Sequence, residues 1–298
     1  MKIWFAGCVK DCAHQLPANI AALLRIAEDR RVKDLRVYLL ENDSSDNTKT
    51  VIKSLAANDE RIVPIFLDNC AHLFSTREAR LAYCRDHLLN LICEHHNEGL
   101  YCPVDLDLDL ASPMAFDPFL VSCELVLLRH CSAIFPSSFP YYYDVSALRA
   151  KGWCLTSCWK DVEDFQARGE LLSLLARIWF VYRLQRHYLD MQRNETHLIP
   201  VKSAFGGIGI YSLATVAVAK ARYSLAPSQC QDQCEHVAFN SYFSDLYIDT
   251  RWIILAPVEH IRFRLLPPLL QLTQIILAAF SDAKQLALRL LMKKSLMT

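Results

Sequence analysis

Short apolar runs alternate with longer amphipathic stretches along the first hundred residues of the chain. Four of the runs have the length and composition of buried strands: Lys2–Gly7, Leu35–Leu40, Arg61–Leu67 and Leu100–Val104. Three stretches between them have helical periodicity: 13–29, 47–57 and 75–95. Because strands and helices alternate, the pattern predicts an α/β fold with a mostly parallel sheet covered by helices on both faces. Ligands of such sheets bind outside the carboxyl ends of the strands.

Local signals sharpen two of the predicted helices. Ser75, with Glu78 three residues later, is a capping box and predicts Ser75 as the N-cap of the helix that follows. In the second half, a helix is predicted near 117–130, with Asp117 as its N-cap and Pro118 as its first helical residue. An aromatic and proline-rich stretch follows at 135–143, and a long helix is predicted over 162–190.

The last part of the chain, 261–298, is rich in Leu and Ile, and its charged residues are basic apart from Asp282. It contains no uncharged apolar run of 18 residues, so we do not expect it to span a membrane. Two interpretations stay open: a helix packed on the domain, which we favour, or a basic amphipathic helix in peripheral contact with an anionic membrane. With no repeat or linker upstream, we predict one domain over 1–260 followed by a helical tail.

Composition excludes several classes of protein. The 32 basic side chains are balanced by 32 acidic ones, whereas a general nucleic-acid binder normally has a basic excess. Twelve Cys in 298 residues are too few for a secreted module held by disulfides. We therefore expect reduced thiols and a cytoplasmic protein, and we interpret the N-terminal apolar run as a first strand and not as a signal peptide.

Acidic residues follow the fourth predicted strand in the segment Val104–Asp109. Asp105, Asp107 and Asp109 alternate with Leu, so in an extended chain the carboxylates share one face. Such close like charges raise one another's pKa unless a cation compensates them. Mg²⁺ or Mn²⁺ held by one or two carboxylates and by substrate phosphates is the usual solution. The metal-binding pair is either 105/107 or 107/109.

A second polar segment, Glu41–Thr48, follows the second predicted strand. Ser45 or Asp46 is suited to cap the next helix. Capping does not account for Glu41, which stands at the end of the strand, where the hydroxyls or base of a nucleoside can be recognised.

These two segments, in this order, resemble GT-A glycosyltransferases, whose family-2 members carry a similar Asp-Asp-Gly-Ser-x-Asp-x-Thr segment after the second strand. The segment Arg80–Asp86 also resembles the Ala-Arg-Asn-containing helix of that family. The resemblance implies a GT-A fold with a nucleotide-binding half over 1–110 and an acceptor half over 111–260. It implies these nucleotide-binding residues: Glu41, Asp46, Arg77, Arg80, Arg85 and Asp105. It implies these metal ligands: Asp107, Asp109 and His236.

Three segments of the second half resemble glycosyltransferases as well. Tyr141–Arg149 is similar to the Tyr-Asp-x-x-x-x-Arg segment of capsule-associated mannosyltransferases, with Ser146 where those proteins commonly have Trp. Val201–Tyr211 and Cys234–Val237 resemble the Ser-Ala-Phe-Gly-Gly loop and the later acidic motif of polysaccharide-type enzymes. Glu235, as acceptor base or acceptor-orienting carboxylate, and Asp144 are the implied catalytic residues. The implied sugar- and acceptor-binding residues are Tyr143, Arg149, Phe205, Gly206 and Gly207.

Residue chemistry alone supports part of this assignment, because aromatic faces pack on sugars while Asp and Arg bind hydroxyls or phosphate. An aromatic core cluster with a surface ion pair is the alternative. We therefore expect a metal-dependent glycosyltransferase that moves a sugar from a UDP- or GDP-linked donor to a glycan or lipid-linked acceptor, in surface polysaccharide synthesis. The alternatives are a nucleotidyltransferase of similar fold and a catalytically inactive, glycan-binding or scaffolding relative.

Overall fold

The computed structural model describes residues 1–110, 116–139, 142–152, 154, 157, 197–223 and 234–257. Within these residues there are eight strands: β1 Lys2–Val9, β2 Asp34–Asn42, β3 Ile62–Leu67, β4 Leu100–Asp105, β5 Ala133–Phe139, β6 Leu198–Val201, β7 Ile210–Ser212 and β8 Leu246–Leu255. They form one sheet in the order β3-β2-β1-β4-β7-β5-β8-β6. Six of these strands run in the same direction, whereas β6 and β7 are antiparallel to their neighbours. The predicted α/β fold with a mostly parallel sheet is confirmed.

The helices of the described residues are α1 Leu16–Arg25, α2 Thr48–Asn58, α3 Cys70–Leu73, α4 Arg77–His95, α5 Phe116–Leu127, α6 Leu213–Ala219 and α7 Glu235–Asn240. A 3-10 turn, Ile26–Glu28, extends α1. Up to residue 105, the strands and the longer helices lie where the apolar pattern predicts them.

Strand β1 shows why the apolar runs are continuous. Its side chains alternate between two cores: Ile3 and Phe5 pack in one cluster with residues of α1, α2 and α5, whereas Trp4 and Ala6 pack in the other with residues of α4 and α7. Successive side chains of a strand point to opposite faces, and both faces of this sheet are covered. Polar side chains of the central strands are therefore concentrated at the strand ends.

Two helix starts differ from the prediction. The N-cap of α4 is Thr76, whose hydroxyl accepts a hydrogen bond from the Ala79 amide at 3.2 Å, and not Ser75. Thr76 has the extended backbone that an N-cap needs, so Glu78 falls at the second helical position and no capping box forms. Helix α5 begins at Phe116, which places Asp117 inside its first turn. A carboxylate there interacts favourably with the helix dipole.

Strand β5 crosses the stretch that was predicted only as aromatic and proline-rich. It pairs with β8 and carries Pro136 at a shift in the register of that pairing. Proline cannot donate a ladder hydrogen bond, so a register irregularity is a place where a strand tolerates it. The sequence pattern therefore hid this strand.

Several predictions fall on other parts of the chain. The helix over 162–190, the tail over 261–298 and Tyr141 lie outside the described residues. The chain's described helices include none with the length and apolar character needed to cross a membrane. Nine described cysteines are free thiols, as expected, whereas Cys154 is disulfide-bonded and departs from that expectation.

Candidate functional site

Two adjoining cavities lie at the carboxyl ends of the strands that share one direction. The N-terminal cavity, of about 250 Å³, is bounded by the β1–α1 loop, the end of β2, the start of α4 and the end of β4. The C-terminal cavity, of about 310 Å³, adds the loop after β5, the loop before β7 and the start of α7. The residues that line both cavities are Arg77, Leu81, Arg85, Asp105 and Asp107. These shared side chains make the two cavities a single cleft.

Arg85 lies at the junction of the two cavities. Its side chain is only 4% exposed, and it donates from Nη2 to Asp105 at 2.7 Å and from Nε to Glu235 at 3.1 Å. Its guanidinium also lies 5.1 Å from the ring centre of Phe205. Burial opposes the charge, but the two carboxylates outweigh it and raise the pKa of Arg85 well above its ordinary value. The third nitrogen, Nη1, has no hydrogen-bond partner among the described residues.

The acid segment, residues 105–110, has the alternation predicted from sequence. Leu106, Leu108 and Leu110 are buried, while Asp107 and Asp109 are exposed. The three Asp residues nevertheless differ in position. Asp105 and Asp107 line both cavities, whereas Asp109 lines neither of these two described cavities. The chain bends after β4 ends at Asp105, so the carboxylates do not all face the cleft.

The cleft carries slightly more negative than positive charge. Among its described lining residues the basic ones are Lys10, Arg77, Arg80 and Arg85. The acidic ones are Asp11, Asp105, Asp107, Asp144 and Glu235. Burial, followed by the charge of Arg85, holds the pKa of His236 well below 6.5, so its ring is neutral at pH 7. An anionic ligand is therefore best accommodated here together with a cation.

The carboxylates of Asp107 and Asp105 suit a hard divalent ion, such as Mg²⁺ or Mn²⁺, that takes most of its ligands from a substrate and from water. Among the residues described, no cluster of three or more His, Cys, Asp or Glu side chains is arranged to hold a metal. Asp107 is exposed to both cavities, and the neighbouring Asp105 is already paired with Arg85. Mg²⁺ and Mn²⁺ sites with one or two carboxylates are completed by phosphate oxygens and water. These residues thus suit a metal that arrives with a phosphate ligand.

The loop between β6 and β7, residues 202–209, contains three glycines and is called the glycine loop here; through Phe205 it forms part of one wall of the C-terminal cavity. Gly206 (φ +66°) donates its amide to Asp144 at 3.0 Å, and Gly207 (φ +89°) accepts at its carbonyl from the Asp105 amide at 2.8 Å. A Cβ on Gly207 would lie 2.1 Å from the Leu108 side chain and 2.7 Å from the Tyr143 hydroxyl. Both the backbone conformation and the close contact require glycine at position 207.

Asp144 is a half-buried carboxylate on the same wall. Its oxygens accept from the amides of Gly206 and Ala147 at 3.0 and 3.3 Å. Burial and the nearby charges of Asp105 and Glu235 raise its pKa to about 6, against the restraint of those two hydrogen bonds. At neutral pH the carboxyl group is mostly ionised, and near pH 6 about half of the molecules carry it protonated.

The raised pKa of Asp144 predicts a pH dependence of stability. The folded state binds this proton more tightly than the unfolded state, whose ordinary pKa is 3.8. The stability of the wild type relative to Asp144→Asn should therefore fall as the pH rises from about 4 through about 6, and then level off. Urea unfolding of both proteins across this range measures the difference, in which groups common to both cancel. A difference that is independent of pH would contradict the raised pKa.

Glu235 and His236 begin helix α7 and are both buried. Glu235 binds Arg85, and its carboxylate lies 3.7 Å from Nε2 of His236. The His236 ring stacks on Phe205 with 3.6 Å between ring centres, and neither ring nitrogen has a hydrogen-bond partner among the described residues. Both residues line the C-terminal cavity, and the two ring nitrogens of His236 are themselves buried.

Six predicted site residues do not line either described cavity: Glu41, Asp46, Asp109, Arg149, Gly206 and Gly207. Arg149 donates to the backbone carbonyls of Ser146 and Leu148. Asp46 accepts from the amides of Thr48 and Ala13 and so ties two loops together. Glu41 is fully buried, accepts from the Ser44 amide at 2.8 Å and lies 3.6 Å from Lys49, although its neighbour Asn42 lines the N-terminal cavity. The remaining predicted residues line the cleft.

Sequence reasoning missed the contribution of the β1–α1 loop. Lys10, Asp11 and Cys12 of this loop line the N-terminal cavity. Asp11 has a left-handed backbone (φ +51°), and its carboxylate accepts from the amides of Ser45 and Asp46 at 2.6 and 3.3 Å. A polar Lys-Asp pair directly after an apolar strand was the available signal.

Comparison with models of protein families finds no match, and comparison with curated sequences finds none either. Solved structures do show similarity. Residues 1–349 of TarS from S. aureus match with 10% identity and a TM-score of 0.47, over 88% of this chain and 64% of that one. This chain thus spans less than two thirds of the length of that structure.

Two further solved structures are similar at comparable levels. A mannosyltransferase from Pyrobaculum calidifontis, in complex with GDP-Man and Mn²⁺, has 11% identity and a TM-score of 0.44, over 86% of this chain and 56% of that one. Glucosyl-3-phosphoglycerate synthase of M. tuberculosis has 13% identity and a TM-score of 0.39, over 86% and 72%. Solved glycosyltransferases are therefore among the structures that this chain resembles, and the ligands named belong to those structures.

Proposed function

We propose that the protein is a metal-dependent glycosyltransferase that takes a sugar from a nucleoside diphosphate sugar, UDP- or GDP-linked. The observation that carries the proposal is the junction of the two cavities at Arg85, Asp105 and Asp107. A transferase of this kind needs one compartment for the donor, one for the acceptor, and charged groups where they meet. The order of the sequence segments that resemble GT-A enzymes independently supports the same assignment.

The N-terminal cavity is the proposed donor site. Arg77 and Arg80 lie in the first turns of α4, where exposed backbone amides and the helix dipole also favour anions. Nη1 of Arg85, which is buried and has no hydrogen-bond partner among the described residues, is the proposed contact for a phosphate oxygen at the junction. Asp107, with Asp105 beside it, is the proposed metal ligand. A bound Mn²⁺ or Mg²⁺ would neutralise charge that develops on the departing nucleoside diphosphate.

The C-terminal cavity is the proposed acceptor site. Tyr143 and Phe205 present aromatic side chains to it, and Asp144, Glu235 and His236 present polar ones. Aromatic surfaces pack against the C–H faces of sugars, while carboxylates orient hydroxyl groups. A glycan or a lipid-linked glycan is the acceptor class that suits this lining, and surface polysaccharide synthesis is the corresponding proposed role.

A nucleotide-sugar screen tests the proposal. We expect a panel of UDP- and GDP-sugars to raise the melting temperature in the presence of Mn²⁺ and much less in EDTA. A ligand concentration of 100 times Kd corresponds to about 2.7 kcal/mol of stabilisation. Turnover is then measured by chromatography, which detects the slow release of UDP or GDP from the effective donor. Equal stabilisation and turnover in EDTA would remove the metal from the proposal.

The same screen separates the alternatives. Release of pyrophosphate from a nucleoside triphosphate and a sugar phosphate would identify a nucleotidyltransferase. Nucleotide-sugar binding without turnover, with any glycan acceptor added, would identify an inactive relative. Asp107→Asn provides the matched negative control for metal-dependent stabilisation.

A further inference from the structure

Helix α1 contains a buried polar residue that has no part in the site described so far. Asn19 is 1% exposed and lies among Leu16, Ile20 and Leu23 on the buried face of the helix. An unpartnered amide would be costly in such a core, so a buried Asn is normally bound on all sides. The identity of its partners therefore indicates what it does.

All three partners of Asn19 belong to the backbone of the acid segment. Its Nδ2 donates to the carbonyls of Leu106 and Leu108 at 3.0 and 2.6 Å. Its Oδ1 accepts from the amide of Leu110 at 2.9 Å. One side chain thus binds three alternate residues of a segment that bends away after β4 has ended.

The bonded Leu residues flank the exposed Asp residues. Asp107 stands between Leu106 and Leu108, so the two carbonyls held by Asn19 lie on either side of it. Asp105, which precedes Leu106, is held separately, because its backbone amide donates to the Gly207 carbonyl. The acid segment is consequently fixed from α1 at one end and from the glycine loop at the other.

We propose that Asn19 is a positioning residue for the donor site, which holds the acid segment in the bent form that turns Asp107 towards the cleft. Its effect on the donor rests on the proposed function, whereas its hold on the segment does not. Hydrogen bonds from a rigid helix fix a segment without regular pairing, and a carboxylate that binds a metal must be held to within a fraction of an ångström.

Asn19→Leu removes all three hydrogen bonds while it keeps a similar volume. Asn19→Asp keeps an acceptor for the Leu110 amide but sets a second oxygen against the two carbonyls. Leu23→Ala is the matched control, because Leu23 is fully buried in the same helix and its side chain cannot form a hydrogen bond with the acid segment. It lowers overall stability by forming a cavity in the same core cluster.

The experiment compares hydrogen exchange across 105–110 and the affinity for UDP and GDP with Mn²⁺ in the three variants and the wild type. Denaturant concentrations are chosen to equalise global stability. We expect exchange in 105–110 to be roughly tenfold or more faster in Asn19→Leu than in Leu23→Ala, and nucleotide affinity to be roughly tenfold weaker. In Asn19→Asp, the Leu110 amide should remain more protected than in Asn19→Leu.

Equal exchange in Asn19→Leu and Leu23→Ala would overturn the proposal, and so would equal nucleotide affinity in the two. A wild type that binds neither nucleotide would overturn the proposed function and the role of Asn19 in donor binding. The exchange comparison would in that case still decide whether Asn19 holds the segment, so the two failures are distinguishable.

Discussion

Asp107→Asn should lower the rate of sugar transfer by about 1,000-fold or more while the free energy of unfolding changes by no more than about 0.5 kcal/mol. The rate loss corresponds to roughly 4 kcal/mol of transition-state stabilisation, which is the scale of a lost metal ligand. The stability should hardly change because the Asp107 side chain is exposed and its neighbours Leu106 and Leu108 keep their place in the core.

Asp109→Asn is the matched control for this prediction. Asp109 is an exposed carboxylate of the same segment, two residues away, and it lines neither described cavity. We expect it to retain transfer within a few-fold of the wild type, which would select the 105/107 pair over the 107/109 pair. Kinetics of donor turnover and urea unfolding of both variants check the result. A large loss of stability in Asp107→Asn would instead support a structural role.

Arg85→Met should destabilise the protein by about 3–5 kcal/mol, because it leaves Asp105 and Glu235 without their shared counter-ion. Glu235 is the more costly of the two, since its side chain is 6% exposed and that of Asp105 is 33% exposed. The double variant Arg85→Met/Glu235→Gln should recover part of the lost stability, since it removes the more deeply buried charge.

Nucleotide binding distinguishes the two roles that we assign to Arg85. The double variant should regain stability but not nucleotide affinity, because the nitrogen proposed to bind phosphate is still missing. Arg80→Met replaces a half-buried side chain on the same helix, and it should weaken nucleotide binding with little loss of stability. Urea unfolding and calorimetric titration with UDP and GDP check both statements. Arg85→Met with wild-type stability would show that the buried ion pairs do not form in solution.

The first half of the fold was predictable because its strands are buried on both faces and so form continuous apolar runs. The later strands were not, for physical reasons that differ from one to the next. Strand β5 carries Pro136, and β7 has only three residues. Strand β7 also pairs with β4 and β5, so its stability depends on contacts distant in sequence. Local periodicity carries no information about such contacts.

The candidate site was predictable where chemistry and position coincide. Asp105 is the last residue of a buried strand and Asp107 follows it closely, so both lie at the carboxyl end that the sequence predicted. Arg149 has the same kind of side chain as Arg85, but it binds its own loop, which only the folded backbone reveals. The sequence also contained a signal for Asn19 that was overlooked. A polar residue on the apolar face of α1 indicates that its side chain forms hydrogen bonds with nearby backbone groups.

The position of β7 between β4 and β5 sets an order of assembly on the ribosome. Strands β1 to β4 pair among themselves, so they can associate once the first 105 residues have emerged. The other edge of β4 then waits for residues 210–212, more than a hundred positions later, with its backbone groups unpaired. Closure of that edge also brings the Gly207 carbonyl to the Asp105 amide. We therefore expect a nascent chain to complete its cleft late and, until β7 is synthesised, to expose an unpaired strand edge that favours aggregation.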